Sequence, residues 1–368
     1  MQRARRVSTP KTADTLHGSA GASRTAFVVL SVGLELRCGA GRACAIEENT
    51  PENWHCPRHY ISYYHFLMPL SDNRITPSQK SRFARLLCVT SFIVAHSFLH
   101  ADTENDFAIS TSPFVTEGFA QLEAGQPENA LIAFGQALET DNNDLSARLG
   151  QAMIYAEQER HQDAFSSYDF IVQRYPQHAF AWNGRGLAAF NLEDFDTALA
   201  SFQMATVDQP VNGFFYESLA WTQMCRGEFT DAAESAKKAS LMYSKKGETS
   251  TYPLLIAYFS YHESGDAKNA LRTLDYANKN KPVNQWPAPV IDFLSEKIDE
   301  SDLISFVTNS AEETEAHTYI GLYLRLLGET DEASEHLNWV SRFGDPQVFE
   351  YTLARAINLQ NSVAAVVR

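Results

Sequence analysis

The stretch "AFAWNGRGLAAFNLEDFDTALASFQMATVDQP", Ala179–Pro210, decides the fold. It reads as two helices broken near Glu193 and closed by Pro210, which cannot continue a helix. Its landmarks recur at one fixed step along the chain. Gly125, Glu159, Glu193 and Gly227 are evenly spaced and mark successive inter-helix turns. Further on come three columns at the same step: Ala130, Ala164, Ala198, Ala232; Phe134, Tyr168, Phe202, Ala236; and Ala137, Ile171, Ala205, Ala239. Pro176 and Pro210 close two of the units, and Trp182 and Gly186 sit at the front of the unit quoted. Each column has a physical reason. Small alanines let the second helix of a unit approach the first, where a larger side chain would push the pair apart. The aromatic fills the space between neighbouring units, and the Gly or acidic residue breaks the first helix from the second.

These residues resemble the tetratricopeptide repeat (TPR) family. The resemblance implies an all-α, TPR-type α-solenoid, a right-handed superhelix of helix-turn-helix repeats. Five units are expected within residues 102–284, at 111–144, 145–178, 179–212, 213–246 and 251–284, with a short insertion around "SKKGETS" before the fifth. Residues 285–313 lack the alanine columns and read as two short helices, entered at Pro287 and Pro289 and turned at "DESD". A last unit spans 314–347 with Gly321, Gly328, Ala333, Leu337 and Val340, and residues 348–368 form a capping helix and tail. The C-terminal part is similar to bacterial envelope TPR lipoproteins of the NlpI type. The shared residues are Trp286, Pro287, Pro289, Val290, Phe293 and Leu294; then Glu315, Ala316, His317, Tyr319, Ile320, Gly321 and Tyr323; and then Gly328, Glu332, Ala333, His336, Trp339, Glu350, Tyr351, Ala354 and Arg355. That similarity implies an adaptor that dimerises and brings cell-wall hydrolases and a protease together.

The front of the chain is of another kind. Residues 1–101 carry 12 Lys+Arg against 6 Asp+Glu, whereas residues 102–368 carry 18 against 39. A body with that acidic excess repels phosphate backbones, so no nucleic-acid partner is expected. Cys38, Cys44, Cys56 and Cys88 precede residue 101 and only Cys225 follows, which excludes an intrachain disulfide from the body. The Cys38, Cys44, Cys56, His59 series lacks the paired spacing of a structural zinc site. Residues 1–80 show no sustained period and read as a low-order extension. Residues 81–101 read as a signal peptide: Arg82 and Arg85 flank an apolar run from Leu86 to Leu99, and Ala101 supplies a small residue for cleavage. The run is too short to span a bilayer, so no integral membrane span is expected. The competing reading of the same run is an amphipathic or buried helix. Met68 offers a start that leaves a basic region from Met68 to Arg85, so residues 1–67 are expected to lie ahead of the natural start. No Cys stands just after the cleavage point, which favours a soluble exported protein of the periplasm or outer envelope over a lipid-anchored one; the alternative is a cytoplasmic protein.

No metalloprotease, nucleophile-elbow or phosphate-loop motif is present, and no cofactor is expected. Glu315 and His317 lie two apart and cannot share a helix face. His317 takes the slot that holds Trp182 in the third unit, which makes it a core histidine. The first helices of the repeats are expected to line a concave groove through Val115, Phe119 and Leu122; Leu149 and Met153; and Phe180, Asn183, Leu187 and Phe190. The stripe goes on through Phe214, Glu217, Trp221 and Met224, then Tyr252, Leu255, Phe259 and His262. So apolar a stripe suits a protein or apolar peptide partner. Three occupants stay open: a partner, the chain's own terminal helix or second subunit, or solvent. The function read from the sequence is a non-catalytic envelope adaptor; the alternatives are a cytoplasmic structural repeat protein and an envelope hydrolase.

Overall fold

The computed structural model describes residues 112–247, 250–283 and 285–367 of the chain. The extension, the signal-like segment at 81–101 and the proposed start at Met68 lie outside the described residues. Fifteen α-helices and no strand are present among the described residues. Helices α1 (Pro113–Glu123) and α2 (Pro127–Thr140) form an antiparallel pair, followed by α3 (Leu145–Glu157) with α4 (His161–Arg174). The stacking continues with α5 (Ala179–Asn191) and α6 (Phe195–Asp208), α7 (Gly213–Cys225) and α8 (Phe229–Lys245), and α9 (Tyr252–Glu263) and α10 (Ala267–Asn280). Two short helices, α11 (Ala288–Leu294) and α12 (Glu300–Ser305), lead to a sixth long pair, α13 (Ser310–Leu327) and α14 (Thr330–Phe343). Helix α15 (Phe349–Val367) ends the described chain. The result is the all-α, TPR-type solenoid that the period of the sequence implies.

Local chemistry sets the ends. The side chains of Asp144, Asp194 and Asp266 accept from the backbone N–H three residues on, capping α3, α6 and α10. Proline stands in the first turn of α1, α2 and α9, where its missing N–H is not needed. Between the two helices of a pair the chain passes through the left-handed region at Gly125, Glu159, Glu193, Gly227, Gly265 and Gly328. The turn column seen in the sequence is thus a column of positive φ.

The aromatic column sits where the pairs meet. The Phe134 ring of α2 lies over two glycines, Gly118 of its own pair and Gly150 of the next; a Cβ at either would come within 2.4 Å of the ring. Tyr168 covers Gly184 in the same way, Phe202 covers Gly186, and Leu337 covers Gly321. The offset along the chain between the two partners is the same in every case. Around them the alanine columns are fully buried: Ala130, Ala164, Ala198 and Ala232 are 0% exposed. Each ring therefore measures how closely a first helix approaches the second helix that covers it.

This geometry gives a contrast between neighbouring helices. Gly150→Ala is expected to destabilise the protein by about 1–3 kcal/mol, through overpacking against Phe134. Gly135→Ala, on α2 with open space at its Cβ, is expected to stabilise it by about 0.5–1 kcal/mol, because alanine loses less backbone entropy in a helix. Urea midpoints of the two variants check both signs; a stable Gly150→Ala would remove the ring-on-glycine account.

Candidate functional site on the concave face

The first helices of the pairs carry the stripe anticipated from the sequence, and the structure divides it into three zones. At the N-terminal end, Val115 and Leu122 are buried with Phe134 in a core cluster of the first two pairs. Phe119 is half-buried there, edge-on to the Phe134 ring at 5.0 Å. Leu149 and Met153 are buried in α3. These residues serve the packing between pairs.

The central zone is closed by the chain itself. Helix α15 returns to pack against α7, far from it in sequence. Phe349 stacks on Trp221 with ring centroids 5.8 Å apart and planes within 6°. It also meets Phe190 edge-on at 5.1 Å. Trp221 and Phe190 are each 1% exposed, and Met224 is buried beside them. Leu187 is half-buried against the same cluster. Of the three occupants left open by the sequence, the chain's own terminal helix is the one seen at Trp221. Asn183 and Glu217, at equivalent places of α5 and α7, are buried polar groups on this stripe. Phe180 packs separately, edge-on to Phe215 at 5.4 Å. Phe214 stays 38% exposed at the start of α7.

The C-terminal zone is bridged by carboxylates that the stripe did not include. Glu315 of α13, 4% exposed, accepts from the Tyr252 hydroxyl at 3.0 Å and the Trp286 indole N–H at 2.6 Å. Glu350 of α15, 2% exposed, accepts from the Tyr319 hydroxyl at 2.6 Å. Burial, then the neighbouring Glu350 and Glu315 charges, push the Tyr319 phenol well above its ordinary value, so it stays a donor. A buried carboxylate is tolerated only when donors surround it. Tyr319 also stacks on Phe259 at 5.9 Å, covering the end of the stripe where Leu255 is fully buried. His262 is half-buried, edge-on to Tyr258 at 4.8 Å. Burial lowers the His262 imidazole despite the raising effect of Glu263.

In the sequence, Glu315, Trp286, Tyr319 and Glu350 are residues of the resemblance with no role of their own. Their partners stand 29 to 63 positions away in sequence, at distances no helical period reaches. Glu315 and His317 do point apart, as their spacing requires. His317 turns to α14, where its Nδ1 lies 2.9 Å from His336 Nδ1 and its ring stacks on Trp339 at 4.1 Å. His336 had no assigned partner in the sequence, and here it meets His317 on one side and Glu300 at 3.2 Å on the other. Cys225 is buried, and burial raises its thiol, with Glu193 adding to the effect. Among the described residues no group of three or more His, Cys, Asp or Glu side chains is placed to hold a metal ion, and no helix is long and apolar enough to cross a membrane.

Residues 116–179 and 166–213 match the family model of the tetratricopeptide repeat, so this stretch is built of TPR units. No curated protein matches the chain. Among solved structures, the chain is similar to MamA, at 21% identity and a TM-score of 0.42 over 45% of this chain and 88% of that one. A tetratricopeptide repeat protein from Parabacteroides merdae gives 13% identity and a TM-score of 0.49 over 66% of this chain and 96% of that one. YrrB, described as a TPR protein with an unusual peptide-binding site, gives 16% identity and a TM-score of 0.44 over 51% and 93%.

Two half-buried histidines shape the acid behaviour of the fold. Burial, and then the neighbouring His336, lower the His317 imidazole to about 4 from an ordinary 6.5. Burial lowers His178 to about 4 as well. Its Nδ1 accepts the Ala181 N–H at 3.1 Å and caps α5. The folded state then binds fewer protons than the unfolded one between these values, so stability falls as pH drops from about 6.5 through about 4. His317→Phe, which keeps a ring on Trp339, is expected to flatten that decline. Unfolding curves taken across this pH range check it; a slope identical to wild type would contradict it.

Proposed function

We propose that the protein is a non-catalytic interaction adaptor that seats apolar peptide or helix segments of other proteins on the concave face of its TPR units. One observation carries the reading: that face already holds a helix. Phe349 is clasped between Phe190 and Trp221, an example of the shape and chemistry of a segment that suits it. Exposed Phe214 lies at the start of α7, the helix that carries Trp221, and adds an uncovered aromatic to it. Aromatic anchors in apolar surfaces dominate the energetics of such recognition.

In this reading residues 81–101 act as an export signal and the adaptor works in the cell envelope, soluble in the periplasm or at the outer envelope. The similarity of the C-terminal part to envelope TPR lipoproteins of the NlpI type supports that location. The same similarity suggests cell-wall hydrolases or a protease as partners, and pairing with a second copy.

The test uses affinity capture from an envelope extract with the wild-type chain and with Phe214→Ala, whose exposed position spares the fold. Loss of an aromatic anchor costs at least ~1–2 kcal/mol, so retained partner is expected to drop roughly five- to thirty-fold. Equal capture by both proteins would overturn the groove assignment. Recovery of the native protein only from cytosol would overturn the envelope location.

A further inference from the structure

Gly125, Gly227, Gly265 and Gly328 make the left-handed turns between the helices of four pairs. Gly125, Gly265 and Gly328 have open space at the Cβ position. Three positive-φ positions among the described residues hold a glutamate instead: Glu159 at φ 59°, Glu193 at φ 61° and Glu296 at φ 57°. A side chain there is strained where glycine is not. Each of the three carboxylates makes a contact at long sequence separation. Glu296 accepts from the Tyr323 hydroxyl at 3.1 Å. Glu159 accepts from the Gln347 amide at 2.9 Å, and Glu193 pairs with the Arg355 guanidinium at 2.5 Å.

Glu159 and Glu193 follow successive first helices, α3 and α5, and both contacts go to the same segment, the start of α15 and the residues just before it. At the next step the turn residue is Gly227, with no side chain to offer, and the tie comes from the main chain: Gln360 donates to the Cys225 carbonyl at 2.9 Å. Three consecutive helix ends are thus fastened in order to residues 347, 355 and 360. Between these ties Phe349 fills the gap between Phe190 and Trp221, and Leu353, Ala356 and Ile357 are buried beneath. The outer ties are polar and solvent-reachable: the Arg355 side chain is 44% exposed and that of Glu193 30%.

We propose that α15 is a displaceable internal ligand, latched over the concave face of the second to fourth helix pairs by Glu159 and Glu193. The partner that replaces it is an amphipathic helix of the same pattern, an aromatic anchor followed six residues later by an arginine. This rests on the reading of the concave face as a helix-binding surface. It explains why glutamate is kept at two turns that glycine would suit better, since the carboxylates serve as catches. Displacement exposes the Phe190–Trp221 slot to the incoming aromatic and leaves Glu193 for the incoming arginine.

The double substitution Glu159→Gly/Glu193→Gly in the full chain separates the two roles of these residues. Relief of the backbone acts in the direction of stability, whereas loss of the catches frees α15. Hydrogen exchange is expected to show amide protection within residues 349–361 falling at least tenfold while α5 and α7 keep theirs. A fluorescent peptide of residues 346–361, added in trans, is expected to bind the Arg355→Gln variant, which keeps Glu159 and Glu193 for the peptide, at least tenfold more tightly than wild type. Arg355→Gln, which leaves both turns untouched, is expected to lower the protection of α15 in the same direction as the double variant. Unchanged protection of α15 in the double variant overturns the latch and leaves the concave-face reading standing. A loosened α15 with no binding of the peptide overturns the latch together with that reading.

Discussion

A ring resting on glycine sets the dimensions of this molecule. Phe134 lies against Gly118 and Gly150, and the same relation joins Tyr168 to Gly184, Phe202 to Gly186 and, with leucine in place of the ring, Leu337 to Gly321. An aromatic side chain is large, and only the absence of a Cβ lets the helix backbone come close enough to pack against it. The spacing between helix pairs, and hence the curvature of the solenoid, follows from those contacts and from the buried alanines around them. In a repeat protein such a contact acts locally but accumulates, because each pair is oriented only by its neighbours.

Helix α15 returns to pack on α7. From there the packing logic changes, because the surfaces that meet are not adjacent repeats. Apolar stacking at Phe349 and Trp221 is combined with charged and polar ties at the rim and with carboxylates inside. Glu315 and Glu350 are held by tyrosine and tryptophan donors that join α9, α13 and α15. Directional bonds of this kind define one arrangement of the C-terminal helices more sharply than apolar contact alone.

Much of the fold was legible in the sequence because each repeat column answers a constraint that acts within one repeat length. The alanines, the aromatic position and the turn residues are each needed by the nearest two pairs, so they recur in register. The two short helices α11 and α12 were also legible, from prolines and an acidic turn. The contacts across the solenoid were not. Nothing in the immediate sequence of Glu193 shows that its carboxylate meets Arg355, near the far end of the chain. His317 and His336 likewise meet only because α13 and α14 pack with a particular rotation. The apolar residues of the first helices could be listed from the sequence, but what lies against Trp221 depends on the summed geometry of several repeats. The charged groups that organise it are ordinary surface residue types until the fold brings them inward.

The decisive contact of α15 on α7 is Phe349 against Trp221. A double-mutant cycle measures that contact directly, with Trp221→Leu, Phe349→Leu and the double variant compared by urea unfolding. Stacked aromatics couple by about 0.5–1.5 kcal/mol beyond the area they bury, and a coupling in that range is the expected result. Strictly additive effects of the two substitutions would contradict the account, since α15 would then not be seated on α7 through these rings.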